Sequence, residues 1–578
     1  MKKTLMQQDM LMRTMIVLLT GLFTICGGAF AAYDITIETV KPHVYILAAD
    51  SLEGRGVGEV GEAKAGLYIE NMFKSAGLAP KGDNGGFRQS FDFVKRIEYG
   101  KKNKLFVNGS EMKMGVDYQP MRQSASMTFD FSNPVFVGYG ITVPAAEGTY
   151  DDYQGKDVAG KAVIVLRHAP PKESNPHVDL EKYSSITDKI NFAIEHKATG
   201  ILFVTPSDHD DTLPSFGPVT VQPKDLPILY LRRTALENMK LAIDSPLIAT
   251  ALGQTELIKT RDTGFNVVGY LEGQSDTTII IGAHFDHLGW GGEGSRYLDT
   301  IPAIHNGADD NASGTAGVIE LARYYASRKE SLHYSLLFCA FSGEESGLLG
   351  SSHYAKHMTI DSSKVRMMIN MDMIGRLSGN DTGLAVFGTG TAAEFKPYFD
   401  SLTSNDMKLA FREPGTGPSD HTAFYNRNIP VLHFFTGAHN DYHKPSDDAD
   451  LIDYDGMVKV LNIVKGVIDT FEKPSAVLAF QKTVDPMEGK RMSSFSVTLG
   501  IMPDYTADVK GLKVDGVSSG RPAEKAGILS GDVIIKMGDL IIGDIGDYMS
   551  ALGKFRKGDS TNVFVVRAAD TLSLQVKF

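Results

Sequence analysis

The chain has 578 residues, 42% hydrophobic and 22% charged, a globular balance that fits about three or four folded units and excludes wholesale disorder and a multi-span membrane protein. Lysine and arginine total 58 against 70 aspartates and glutamates, a net charge of −12. Without a positive field, nucleic acid is a poor candidate partner. In residues 1–31, Lys2, Lys3 and Arg13 precede the apolar run Met15 to Cys26, and Ala29-Phe30-Ala31 follows as a small-residue cleavage site; this is the pattern of a secretory signal peptide. The run is shorter than the ~20 residues of a spanning helix. The mature chain is therefore expected to be exported, periplasmic or extracellular, with no stable membrane span. Cleavage removes Cys26 and leaves only Cys339, so no intramolecular disulfide forms and stability rests on core packing or bound metal.

Helices are predicted from Pro42 to about Ala49 and along Ala63, Ala65, Leu67, Ile69, Met72 and Phe73. Between them, Asp50-Ser51-Leu52-Glu53-Gly54-Arg55-Gly56 reads first as a solvated turn and second as the lining of a cleft. From about Asn133 to Asp262 the texture changes to short β-type runs separated by Gly and Pro turns. Its pieces Val137-Gly138-Tyr139-Gly140, Asp157-Val158-Ala159-Gly160 and Ala198-Thr199-Gly200-Ile201 resemble the protease-associated domain, which implies a lid or substrate-selecting wall. From Asn266 to about Phe471, apolar runs such as Thr278-Ile279-Ile280-Ile281 and Ser335-Leu336-Leu337-Phe338 alternate with helical stretches such as Gly314 to Tyr325. That alternation predicts an α/β fold, a mixed, centrally parallel sheet flanked by helices. After the linker-like Lys482 to Lys490, the order Gly511-Leu512-Lys513-Val514, Arg521-Pro522-Ala523-Glu524-Lys525-Ala526-Gly527-Ile528 and Gly531-Asp532-Val533-Ile534 resembles a PDZ domain. Its Leu499-Gly500-Ile501-Met502 segment is a candidate site for a peptide C-terminus; docking on the neighbouring domain is the alternative. The expected division is 1–31 leader, 32–130 with 262–472 as a discontinuous α/β domain, 131–261 insert, 473–490 linker and 491–578 PDZ-like domain.

Potential nitrogen and oxygen ligands recur where the α/β strands are predicted to end: His284, Asp310, Glu345, Asp372 and His443. Imidazole and carboxylate suit zinc. In His284-x-Asp286, one ring nitrogen can ligate while the carboxylate orients the ring through the other. Gly307-Ala308-Asp309-Asp310-Asn311-Ala312-Ser313-Gly314 leads into a helix, where Asp309 or Asn311 equally suits a helix cap. In Phe341-Ser342-Gly343-Glu344-Glu345, adjacent carboxylates point apart, so one can ligate while the other takes a proton; a solvated acidic pair opening a helix has the same pattern. Asp372, inside Asn370-Met371-Asp372-Met373, needs a cationic partner. His443 by itself reads as a surface histidine.

In this order, the five elements resemble the secreted co-catalytic di-zinc peptidase family that includes bacterial leucyl aminopeptidases and glutamate carboxypeptidase, and Leu52-Glu53-Gly54-Arg55 matches a recurring family segment. The resemblance implies the zinc exopeptidase fold and two Zn2+, one on His284 and Asp372, the other on Glu345 and His443, with Asp310 bridging. It further implies Asp286 as the orienter of His284, Glu344 as general base and Tyr442 as oxyanion donor, the last also compatible with simple packing. Ser419-Asp420-His421 matches another family segment. His287, His305, His433 and His439 are expected to be neighbours rather than ligands. The expected activity is an exported aminopeptidase acting on peptides; the alternatives are a carboxypeptidase or dipeptidase of the same family, or a non-catalytic peptide-binding scaffold.

Overall fold

The computed structural model describes residues 33–143, 149–171, 180–213, 224–241, 248–292, 294–297, 301–378, 383–402, 407–475, 478–483, 497–503, 509–517, 521–543, 545–552, 554–555, 558–568 and 570–578. The leader read over 1–31 lies outside the described residues. The central sheet contains β1 (Ala79–Pro80), β2 (Arg88–Tyr99), β3 (Leu257–Leu271), β4 (Ser275–His284), β5 (Tyr334–Phe341), β6 (Val365–Met371), β7 (Leu384–Phe387), β8 (Leu409–Arg412) and β9 (Val431–Phe435). Their order is β1-β3-β5-β4-β6-β9-β7-β8, with β2 paired to β3. The centre, β5-β4-β6-β9, is parallel, and β3 and β7 border it antiparallel. Every residue of β5 is buried, which explains the continuous apolar run in its sequence.

The sheet packs with α1 (Ile37–Leu47), α2 (Val60–Ser75), α3 (Gly314–Ala326), α4 (Leu349–Lys356) and α5 (Tyr454–Phe471). Helix α1 starts before Pro42, where the sequence reading placed its beginning. Val40, His43, Val44 and Leu47 share its buried face, and their burial holds the helix together across the proline. Among the described residues, no helix is long and apolar enough to cross a membrane.

A second lobe contains two sheets. Ser110–Met112, Lys104–Val107, Thr250–Gln254 and Thr128–Ser132 form one; Tyr118–Pro120, Ile228–Leu231, Gly200–Val204, Ala162–Leu166 and Val135–Phe136 form the other. Strands within 104–132 thus belong to this lobe, and its first boundary falls well before 131. The cause is non-local: Lys104–Val107 and Thr128–Ser132 both pair with Thr250–Gln254, a partner far away in sequence that local patterning does not reveal. The long antiparallel pair β2–β3 runs from Arg88↔Val267 to Tyr99↔Leu257 and leads from the central sheet into this lobe. The C-terminal unit is a sheet whose described strand pairs are all antiparallel, with helices Pro522–Ala526 and Ile545–Leu552 and a core including Val514, Ile534, Val563 and Val565.

Candidate metal centre and active site

The carboxyl ends of the parallel strands form one edge of the sheet, where open α/β sheets build their sites. His284 ends β4, Ser342-Gly343-Glu344-Glu345 follows β5, and Asp372 follows β6. Asp310 comes from the turn before α3 and His443 from the loop after β9. Local hydrogen bonds decide which residue of Asp309-Asp310-Asn311 faces the site. Asp309 Oδ1 accepts from Gly375 N at 2.7 Å, and Asn311 Oδ1 accepts from Gly314 N at 2.9 Å and Met373 N at 3.2 Å. Both neighbours are turned onto backbone, so Asn311 serves the start of α3 and Asp310 is left for the site. Asp447 Oδ2 anchors this turn by accepting from the N–H groups of Asp309 and Asp310 at 2.9 and 3.1 Å.

The five ligand candidates come together. His284 Nε2 lies 3.3 Å from both Asp310 Oδ1 and Asp372 Oδ1. His443 Nε2 lies 3.2 Å from Asp310 Oδ2 and 3.1 Å from Glu345 Oε2, so Asp310 is common to two groups. His443 Nε2 and Asp310 Oδ2 are buried without a hydrogen bond despite this closeness. Ring nitrogen and carboxylate oxygen lie 3.2 Å apart, the clustering expected of groups that share a cation. His443 Nδ1 is bound to Gly294 O at 2.9 Å, leaving Nε2 for the centre. The donor set therefore fits two divalent cations with nitrogen and oxygen ligands.

His287 stands closer than the sequence suggested. Fully buried, it places Nδ1 2.7 Å from Glu345 Oε1 and 3.8 Å from Asp310 Oδ2, and these three residues also satisfy metal-site spacing. Its hydrogen bond orients Glu345. The signal was His284-Phe285-Asp286-His287, which brings two histidines to one strand end. Asp286 differs from expectation: its Oδ1 is 3.7 Å from His284 Nδ1, which is closer to the Asp286 carbonyl oxygen at 3.2 Å. That Oδ1 accepts from Glu344 N at 3.1 Å, tying Asp286 to the turn that carries Glu344. Tyr442 stacks on His443 with ring centroids 3.8 Å apart, and the Arg296 guanidinium lies 4.9 Å over the phenol ring. Ser419 Oγ donates to Asp372 Oδ2 at 2.7 Å.

The buried carboxylates and imidazoles of the site shift one another's proton affinity. Burial and Asp310 push the Glu345 carboxyl up, but His443 and His287 bring it down to about 2. Burial pulls His443 down, but Glu345 and Asp310 raise it to about 11. Burial raises Glu344 well above the usual carboxylate range; Glu345, Asp372 and Asp420 add to the rise and His284 opposes it. Burial, followed by the Asp310, Glu345, Glu344 and Asp372 charges, raises the Tyr442 phenol and keeps its O–H a donor.

The Asp50–Gly56 turn, read first as solvated, is docked against the site. Arg55 is 1% exposed, and Gly289 N donates to Gly54 O at 2.9 Å. Gly54 has φ +68°, and a Cβ there would meet Gly289 O at 2.4 Å and His305 O at 2.6 Å. The glycine permits both the left-handed backbone and the close approach. Glu62 of α2, 2% exposed, accepts from Gly58 N at 2.8 Å, Phe265 N at 3.3 Å and Ser342 Oγ, linking this turn to the strand end before Glu344. Burial is the main cause of its rise from 4.5 to about 7. A carboxyl raised on folding contributes stability that is complete below pH ~4.5 and is lost as pH rises through ~7. The stability of the native chain relative to Glu62→Gln is expected to fall by about 3 kcal/mol across that window, read as the shift in urea midpoint between the two proteins at pH 4.5 and 7.5.

Within the C-terminal unit, Leu499 is buried and Gly500 N donates to Thr498 Oγ1 at 3.1 Å. That N–H is thus already engaged.

Residues 266–468 match the family described as "Peptidase family M28", and residues 494–578 match "PDZ domain". The "Probable leucine aminopeptidase" of Trichophyton verrucosum (strain HKI 0517) is 28% identical over 213 residues, 35% of this chain and 54% of that protein. "Leucine aminopeptidase 2" of Trichophyton rubrum is 28% identical over 228 residues, 37% of this chain and 42% of that protein. The chain spans about half the length of the curated relatives it matches. Among solved structures, an aminopeptidase from Aneurinibacillus sp. strain AM-1 is 22% identical with a TM-score of 0.45, covering 78% of this chain and 96% of that one. A zinc aminopeptidase from Bacillus subtilis is 19% identical with a TM-score of 0.42, covering 76% and 97%.

Proposed function

With residues 266–468 a peptidase family M28 domain and residues 494–578 a PDZ domain, we propose that this chain is a di-zinc aminopeptidase removing N-terminal residues from peptides. The observation that carries the reading is the convergence of His284, Asp372, Glu345 and His443 on the shared Asp310, with Glu344 next to Glu345 in the chain. One zinc would be held by His284 and Asp372, the other by Glu345 and His443, with Asp310 common to both and His287 steadying Glu345. Bound there, the two ions supply Lewis acidity, which acidifies water and polarises the scissile carbonyl.

The chain's own groups do the rest. Glu344 takes the proton from the attacking water and returns it to the leaving amine. Asp286 holds the Glu344 backbone in place, and the Tyr442 O–H donates to the developing oxyanion. The PDZ domain binds peptide C-termini at Leu499–Met502, through N–H groups other than that of Gly500, which Thr498 Oγ1 holds, and the second lobe acts as a protease-associated wall for the substrate. Export through a cleaved leader belongs to the same proposal and rests on the sequence of residues 1–31.

The test is a substrate panel of amino-acid 4-nitroanilides, their N-acetylated forms and peptides shortened from the C-terminus. Turnover of free-amine substrates alone, abolished by chelator and restored by Zn2+, is the expected result. Release from the C-terminus identifies a carboxypeptidase. Binding without turnover in zinc identifies a scaffold.

A further inference from the structure

A second pair of histidines lies outside the centre. His353 is in the last turn of α4 and His357 follows four residues later as its C-cap, the spacing that puts two side chains on one helix face. Their ring centroids are 4.7 Å apart, with planes at 41°. His353 also meets Phe91 of β2 at 5.9 Å, and Gln89 Nε2 donates to the His357 carbonyl at 2.7 Å, which fixes this end of α4 against β2. Among the described residues, neither imidazole makes a hydrogen bond. This contrasts with His284, His287 and His443, each set by a backbone carbonyl or a carboxylate.

The spacing can be compared with what a chelate requires. At a zinc–nitrogen distance of about 2.1 Å and an angle of roughly 90–110° between adjacent ligands, two imidazoles on one ion have centroids about 4.5–5.2 Å apart. The observed 4.7 Å falls inside that range. We propose that His353 and His357 form a second metal site, a two-imidazole chelate for a borderline divalent cation such as Zn2+ or Cu2+, on the α4–β2 face and sharing no residue with the catalytic candidates. Imidazole donors favour copper over zinc in the Irving–Williams order. Two protein ligands leave the remaining positions to water, so the site exchanges its ion readily. The ligating state is the neutral ring. Burial holds His353 below the usual imidazole range, with the positive charges of His357 and Lys356 adding to that and Asp83 and Asp92 opposing it.

The full-length protein, loaded with zinc and dialysed, is titrated with Cu2+ and followed by electron paramagnetic resonance. One added Cu2+ per chain with splitting from two imidazole nitrogens is expected. His353→Gln and His357→Gln should each weaken that signal's affinity at least tenfold, while peptidase turnover stays unchanged. His357 is exposed, so its variant tests the site even where the half-buried His353 variant fails to fold. Equal copper binding by native protein and His357→Gln, or copper entering only with loss of catalytic zinc, overturns the proposal.

Discussion

Glu344→Ala is expected to lower kcat by about 10²–10⁴-fold while metal content stays near two equivalents per chain. Burial holds the Glu344 carboxyl well above the usual carboxylate range, as suits a group that takes up a proton. Its turn is fixed by Asp286 Oδ1 accepting from Glu344 N at 3.1 Å, and its neighbour Glu345 is the one engaged by His287 and His443, at 2.7 and 3.1 Å. Adjacent residues after a strand end cannot both turn inward to the same ions, so the roles divide. Metal analysis alongside steady-state kinetics separates the two roles. Loss of an equivalent of metal in the variant would reassign Glu344 as a ligand, and unchanged kcat would remove it from the reaction.

Arg55→Met is expected to destabilise the α/β domain by about 3–5 kcal/mol, the usual cost of breaking a buried charged network. The guanidinium donates to four backbone carbonyls: Phe285 at 2.7 Å, Leu47 at 2.5 Å, Asn306 at 2.6 Å and Gly307 at 2.9 Å. It thus joins the end of α1 to the two segments that carry His284, Asp286 and Asp310. Burial lowers its pKa to about 10, and the charges of Asp310, Asp286, Asp447 and Glu345 oppose that fall. The charge is retained at neutral pH and balances part of the acidic cluster. Arg55→Lys should recover little, because one ammonium cannot span the fork of carbonyls. Urea unfolding together with zinc retention checks both variants, and a midpoint within error of the native protein would show that the clamp contributes nothing.

The candidate ligand types and their order were legible from local patterning. A strand buried on both faces announces its end where a polar residue follows an apolar run, and His284, Glu345 and Asp372 all stand at such ends. The parallel sheet was legible for the same reason, since its strands are apolar without alternation. Choosing Asp310 over Asp309 needed the resemblance to a family; the physical reason is a set of hydrogen bonds to Gly375 and Gly314 that no spacing reveals.

What the chain alone determined was the inventory: an acidic sequence with candidate nitrogen and oxygen ligands placed after buried strands. Tertiary structure decided the rest. It buried a turn that reads as polar surface, because Arg55 finds its acceptors on segments more than two hundred residues away. It drew Lys104–Val107 out of the α/β domain by pairing it with Thr250–Gln254. It also brought His287 onto Glu345. These outcomes share one cause: a hydrogen bond or strand pair between distant segments depends on how the chain closes, and local periodicity carries no information about that closure.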